Sequence, residues 1–276
     1  MLTASRALRL SSSSSPELPR IDALEALYRK GVHPRQGETI MIAGRSGSQK
    51  SGFALWLTAN WNLPTLYLSA DMSPFTAAVR LASMKNSMTT DQVVEQIAKG
   101  GRAKDEIFES IADLNIVFSF GNPIKWMGVQ DEINAYVELW DTYPKVIVVD
   151  NLMDIEDCDS DYTAQQAAMS ELTAIARNTG ATTMILHHAT DKAMTADIDP
   201  GTPPSRKEIK NGMSEKPELT LTVGLSPHNR GGMHEYRVAC VKQRMGPSDP
   251  SAQSYVTLAC FPEKTQFAPF QYQRAA

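Results

Sequence analysis

The sequence predicts an α/β fold: a mainly parallel, twisted sheet with helices on both faces and antiparallel strands at its C-terminal end. Three observations predict it. Short apolar runs alternate with helix-periodic segments between residues 39 and 188, the pattern of βαβ crossovers. Several runs, Lys145–Asp150 (KVIVVD) above all, are apolar without alternation, as strands are when both faces of a sheet are covered. After residue 217 the helical period stops and three strand-like segments follow, two of them joined by Gly231–Gly232, a hairpin signal.

The elements follow in order. Residues 1–19 contain the five-serine run Ser11–Ser15 and Pro16, with little to bury; they read as a disordered tail. Arg6, Arg9 and the absence of an acid before Glu17 also give this stretch a loosely transit-like composition, against which the reading of a plain tail is kept. Residues 20–37 form a lead-in: Ile21, Leu24, Leu27 and Tyr28 at helical spacing, with Gly31 as a stop. A domain over residues 20–276 then begins with a strand at 39–43 and a helix at 52–61. A strand at 65–69 follows, then helices at 75–85, 90–98 and 103–113. The next expected elements are a strand at 115–120, a helix at 126–140, a strand at 145–150, a helix at 162–178 ending at Gly180, and a strand at 181–186. Residues 190–217 are rich in Thr, Asp, Pro, Gly and Lys without a period, a long loop of the kind that carries function or disorder. Strands at 218–223, 235–241 and 254–260 complete the chain.

Composition narrows the class. The 276 residues are 42% hydrophobic and 21% charged, a globular balance that excludes a wholly disordered chain. No apolar run approaches the ~20 residues of a membrane helix. Three scattered cysteines, Cys158, Cys240 and Cys260, make neither a disulfide framework nor a zinc site and suit a reducing compartment such as the cytoplasm. The net charge of −4 is uneven. Residues 201–276 carry 10 Lys/Arg against 6 Asp/Glu, which leaves −8 on residues 1–200. A mildly basic C-terminal third permits a polyanionic partner without requiring one.

The first chemical signal is a phosphate loop. The strand at 39–43 runs into Gly44-Arg45-Ser46-Gly47-Ser48-Gln49-Lys50-Ser51 and then a helix. This matches G-x-x-x-x-G-K-[ST] except that Gln49 replaces the second glycine. Backbone N–H groups of such a loop cradle phosphates, the lysine neutralises their charge, and the hydroxyl faces Mg²⁺. A nucleotide bound with Mg²⁺ is therefore the expected ligand of this loop. If position 49 needs a positive φ, a β-carbon there costs on the order of 1 kcal/mol.

The second signal is Asp150, which ends the apolar strand Val146–Val149. Ligands of open α/β sheets gather at the carboxyl ends of strands. A carboxylate there can hold Mg²⁺ through water, as a Walker B aspartate does, while the Ser51 hydroxyl ligates the ion. The acids that follow, Asp154 to Asp161, lack the glycine and terminal glutamate of a calcium loop and read as a solvated loop.

Taken in order, these segments resemble the C-terminal ATPase domain of DnaB-type replicative helicases, a RecA-like P-loop NTPase fold. The resemblance spans about residues 24–272. Beyond the two Walker segments it rests on Ser69-Ala70-Asp71-Met72-Ser73, similar to the family's S-L-E-M-S. It also rests on Ile185-Leu186-His187-His188, where the family has a strand ending in S-Q, and on Lys242-Gln243-Arg244-Met245-Gly246-Pro247, similar to K-Q-R-x-G-P. Phe267–Phe270 has a counterpart as well. About 20 residues precede the core, so the resemblance is to a phage- or plasmid-type form without the separate N-terminal helical domain.

The resemblance implies an activity and roles. It implies an ATP-dependent DNA helicase or translocase that hydrolyses ATP at the subunit interfaces of a homo-oligomeric, hexameric ring on single-stranded DNA. A primase or loader is the implied further partner, with no membrane. Asp71 takes the place of the glutamate that activates water, with a side chain about 1.5 Å shorter; it also reads as a helix cap before Ser73-Pro74. His188 takes the place of the sensor glutamine, and an imidazole can donate the same hydrogen bond. Lys242 and Arg244 take the place of a trans-acting finger, two residues apart and so on one face of a strand. Lys192, Arg206, Lys207 and Lys210 in the long loop become the candidate contacts to the DNA backbone. With Gln49 and Asp71 both at catalytic positions, two alternatives stand beside the helicase. One is a weakly hydrolysing RecA-fold loader or regulator, the other a silent oligomeric DNA-binding module.

Overall fold

A computed structural model describes residues 15–159, 161–190, 199 and 201–271. Two short turns of helix, at Asp22–Leu24 and α1 (Glu25–Tyr28), lead into β1 (Thr39–Gly44) and α2 (Lys50–Trp61). Next come β2 (Thr65–Ser69), α3 (Pro74–Asn86), α4 (Thr90–Lys99), α5 (Gly101–Ile111), β3 (Ile116–Phe120) and α6 (Trp126–Trp140). They are followed by β4 (Val146–Asp150), α7 (Tyr162–Thr179) and β5 (Thr182–His188). Beyond the long connection lie β6 (Leu219–Arg230), β7 (Met233–Gln243), β8 (Tyr255–Phe261) and β9 (Gln266–Pro269).

These nine strands form one sheet in the order β3-β2-β4-β5-β1-β6-β7-β8-β9. The pairs from β3 to β6 are parallel, and β6 through β9 are antiparallel. The expected α/β class, with its antiparallel C-terminal strands, is what the chain adopts.

Alternation along each strand sorts the core into two layers. Ile40, Ile42, Val146 and Val148 point to one face, where Phe53, Leu55 and Leu57 of α2 and Leu81 of α3 meet them. Met41, Ala43, Ile147 and Val149 point to the other, against Val129 and Ile133 of α6 and Met169 and Leu172 of α7. Burial of a side chain such as Leu172, which is fully covered, contributes about 1.5–3 kcal/mol. Helices α3, α4 and α5 close a small cluster of their own around Val79, Val93 and Ile107.

The caps explain the helix starts. Ser73 accepts a hydrogen bond from the Thr76 amide at 3.1 Å, so the cap of α3 is Ser73 and not Asp71. Thr89 and Gln92 form a capping box at α4. Asp161 accepts from the amides of Thr163 and Ala164, and Gly180 ends α7 at φ +73°.

Four expectations need correction. Of the tail 1–19, residues 15–19 fall among those described, and Leu18 is buried while Glu17 pairs with Arg35 at 3.2 Å; packed chain thus begins before residue 20. The lead-in helix is shorter than expected. The stretch 190–217 is not uniformly irregular: short 3₁₀ turns at Arg206–Glu208 and Lys210–Glu215 bury Ile209 and Met213 in the core. β9 is a strand that the sequence pattern does not predict. The expected hairpin is present, with Gly231 and Gly232 at φ +63° and +85°.

Candidate functional site

The parallel register lines up the strand ends. Gly44 pairs with His188 on one side and Val223 on the other, and Ser69 pairs with Asp150. The phosphate loop, Asp150 and His188 therefore open onto one crevice at the carboxyl edge of the sheet, where open α/β folds bind ligands. A cavity of about 220 Å³ lies there, lined by the loop from Ser46 to Gly52 together with Asp71, Arg80, Asp150 and His188.

The loop is built around close approaches. A β-carbon on Gly44 would fall 2.4 Å from Ser48 Oγ and 2.9 Å from the Val223 carbonyl oxygen, so only glycine fits. Gln49 occupies the left-handed region at φ +58°, ψ +30°, the conformation that favours glycine. Its side chain lies over Gly52, where a β-carbon would come within 2.9 Å of Gln49 Oε1. Gln49→Gly should therefore stabilise the fold by about 1 kcal/mol. Gly52→Ala meets only the movable end of Gln49 and gains helix propensity, so it should change stability by less than about 1 kcal/mol, and whatever it costs should vanish in the Gln49→Gly background. Chemical denaturation of the four proteins in this cycle checks the coupling.

The charged groups converge on this crevice. Lys50 is 9% exposed, and its Nζ donates to the carbonyls of Gly44 and Arg45 at 3.1 and 3.0 Å. Ser51 Oγ donates to Asp150 Oδ1 at 3.0 Å. Asp150 is 2% exposed, and burial pushes its carboxyl up to about 6, against the opposing pull of hydrogen bonds from Tyr67 and Ser51. Asp71 lies on the exposed bend after β2, and its charge adds to the upward push on Asp150. Among the described residues no group of three or more His, Cys, Asp or Glu side chains forms a metal cage. The Ser51–Asp150 pair is instead the sparse, hard-oxygen donor set that suits Mg²⁺, which takes one or two protein ligands and completes its shell with phosphates and water. The residues present fit that cation.

Several assigned residues take other positions. The Arg45 guanidinium turns away from the cavity to the Thr202 carbonyl at 2.9 Å and to Glu208 Oε1 at 3.0 Å, so the side chain ties the loop to the long connection. Of the two histidines only His188 lines the cavity. His187 is fully buried, held down at about 4 by desolvation, and its Nε2 meets the Lys210 carbonyl at 3.0 Å. Arg206 Nε donates to Ser214 Oγ at 3.1 Å, and Lys207 is exposed. Lys192 lies outside the described residues.

Lys242 and Arg244 stand apart from this site. β7 runs antiparallel to β6 and ends at Gln243, so both residues sit at the amino edge of the parallel strands. The six residues of β1 put about 20 Å of strand between that edge and the phosphate loop. Arg244 lies one residue past the strand, yet both side chains reach the same backbone. Lys242 Nζ donates to the carbonyls of Glu215 and Pro217 at 2.6 and 2.5 Å, and Arg244 Nη2 to that of Lys216 at 3.1 Å. Burial, then the neighbouring Arg244, lowers the Lys242 ammonium to about 8.

Two site residues escape sequence reasoning. Arg80, on α3, lines the cavity and donates to Met72 Sδ at 3.4 Å; its signal is a lone arginine on a helix of small and apolar residues. Tyr67, in β2, donates to Asp150 Oδ2 at 2.9 Å; its signal is the one hydroxyl-bearing aromatic in a fully buried strand.

Comparison with known proteins agrees with this geometry. A family model described as an AAA domain matches residues 4–194. The chain is 28% identical to the Gene 65 protein of Mycobacterium phage L5 over 262 residues, 94% of this chain and 95% of that protein. It is 27% identical to the Gene 65 protein of Mycobacterium phage D29 over 237 residues, 84% of this chain and 100% of that protein. Among solved structures, one described as an ATPase domain matches with a TM-score of 0.74 at 14% identity, with 96% of each chain covered. A DnaB-like replicative helicase, described with its interactions with primase, matches at 0.75 and 14% identity over 97% of this chain and 68% of that one. The RadB recombinase matches at 0.57 and 13% identity, over 91% and 97%. At these identities the likeness to the solved structures is one of fold.

Proposed function

The chain belongs to the AAA domain family and has the RecA-like ATPase fold of DnaB-type helicase domains, and from that premise we propose that it is an ATP-dependent DNA helicase or translocase. The packed chain, residues 15–19 included, acts as one ATPase domain, and the working form is a homo-oligomeric, hexameric ring on single-stranded DNA. A primase or loader is its further partner. The setting is the cytoplasm of a bacterium or infected host; among the described residues no helix is long and apolar enough to cross a membrane.

The observation that carries this reading is the split between the two charged groups. Lys50, Ser51 and Asp150 meet at one edge of the sheet, while Lys242 and Arg244 lie about 20 Å away at the other. Side chains so placed cannot act on their own phosphate loop, so the finger role that the family resemblance gives them requires a neighbouring subunit, as in a ring.

The chemistry follows from the side chains. Loop amides and Lys50 bind and orient the phosphates of ATP. Ser51 and Asp150 would hold Mg²⁺, which when bound would supply charge neutralisation for the phosphates. Asp71 orients the attacking water and accepts its proton, and His188 donates a hydrogen bond to the terminal phosphate. The neighbour's Arg244 and Lys242 stabilise the charge that spreads over the transferring group. Arg206, Lys207, Lys210 and Lys192 follow the DNA backbone.

The strained Gln49 and the short Asp71 favour a second reading: a slow ATPase that loads or regulates other replication or recombination proteins without processive unwinding. The test is ATP hydrolysis by the purified protein, with and without single-stranded DNA, at two salt concentrations. The helicase reading expects turnover to rise at least about tenfold with DNA and less so at high salt. ATP binding with negligible turnover would favour the loader or regulator.

A further inference from the structure

We propose that Tyr67 is a positioning residue for the metal-binding pair, its buried hydroxyl fixing the Asp150 carboxylate so that Ser51 presents its lone pairs to a divalent cation. The inference rests on the nucleotide-site reading above.

The placement comes from register. Tyr67 of β2 pairs with Val148 of β4, so Asp150, two residues on, lies on the same face of the sheet as Tyr67. That face carries α2, whose second residue is Ser51. Tyr67 donates to Asp150 Oδ2 at 2.9 Å and Ser51 donates to Oδ1 at 3.0 Å. Both oxygens of one buried carboxylate are thus held by hydroxyl protons. A carboxylate held at both oxygens is restrained about its last torsion. Its Oδ1 therefore stays in place to take the Ser51 proton, and a hydroxyl that donates on one side offers its lone pairs on the other.

The hydroxyl is not needed to pack the ring. Tyr67 is fully buried with its ring 5.2 Å from that of Phe118, contacts that phenylalanine would keep. Tyr236 shows the contrast: it is equally buried in the same core, and its hydroxyl has no hydrogen-bond partner among the described residues.

The test uses the full chain, a fluorescent ATP analogue and MgCl₂. Binding of the analogue is titrated against Mg²⁺ for the wild type, Tyr67→Phe, Phe118→Leu and Lys50→Ala, with thermal melts alongside. Tyr67→Phe is expected to raise the Mg²⁺ concentration at half-effect about five- to tenfold, well beyond any change in metal-free affinity. Phe118→Leu disturbs the same packing without touching the hydroxyl; it is expected to lower the melting temperature and leave the Mg²⁺ half-effect in place. A half-effect within twofold of wild type for Tyr67→Phe, or an equal shift in Phe118→Leu, overturns the inference while Lys50-dependent nucleotide binding still stands. A wild type that binds no nucleotide, or a Lys50→Ala protein that binds it as the wild type does, overturns the nucleotide-site reading and this inference with it.

Discussion

Lys50→Ala is expected to remove ATP turnover, by at least about 100-fold, and to weaken nucleotide binding while leaving the protein folded. Among the described residues the ammonium is the one lysine lining the crevice at the carboxyl edge of the sheet. Charge-assisted hydrogen bonds to phosphate are the strong ones, and loss of a single preorganised donor costs about 10²–10³ in rate. Its structural role is modest. Nζ rests on the carbonyls of Gly44 and Arg45. The first also accepts from the Ala189 amide at 3.0 Å, the second from Ser48 Oγ at 2.7 Å. Neither carbonyl is orphaned by the substitution, so the fold should lose no more than about 1 kcal/mol. A coupled turnover assay and a melting curve check both halves; hydrolysis at the wild-type rate would remove the phosphate-loop assignment.

Arg244→Ala should show the complementary pattern: nucleotide bound as tightly as by the wild type, and turnover reduced by about 10³ or more. The residue contributes nothing to its own site, since β7 delivers it to the far edge of the sheet. The guanidinium is half exposed and held by the Lys216 carbonyl and, more distantly, by Glu218 at 3.9 Å. It can leave those partners at small cost. The decisive measurement is complementation. In the proposed ring, mixed assemblies of Lys50→Ala and Arg244→Ala subunits would contain interfaces where an intact loop faces an intact Arg244, and these should regain part of the activity that neither variant has alone. Confirmed mixed assemblies with no recovery would show that Arg244 does not act across an interface.

How much of this is legible in the sequence depends on what kind of signal each feature leaves. β1, β2 and β4 are apolar on both faces, and α7 is bracketed by Asp161 and Gly180; their bounds can be read to within a residue or two because the pattern is local. The positive φ at Gln49 is foreseeable because the phosphate-loop pattern has a glycine there. β9 leaves too little trace: four residues, one of them Pro269, paired only with β8. The 3₁₀ turns at 206–215 exist because Ile209 and Met213 reach a core made by distant strands, which no periodicity records. Arg45 reads as a phosphate contact because its place in the loop is visible and its partner Glu208, 163 residues on, is not. Tyr67 requires the alignment of β2 with β4, and pairing register is a property of two strands together.

Gln49 and Gly52 are also coupled neighbours within one loop. A β-carbon at 52 would come within 2.9 Å of Gln49 Oε1, the far end of a side chain with three rotatable bonds, so the carboxamide must turn aside for any larger residue to enter. What position 52 tolerates therefore depends on where the glutamine can go, and the two sites cannot be varied as if they were independent.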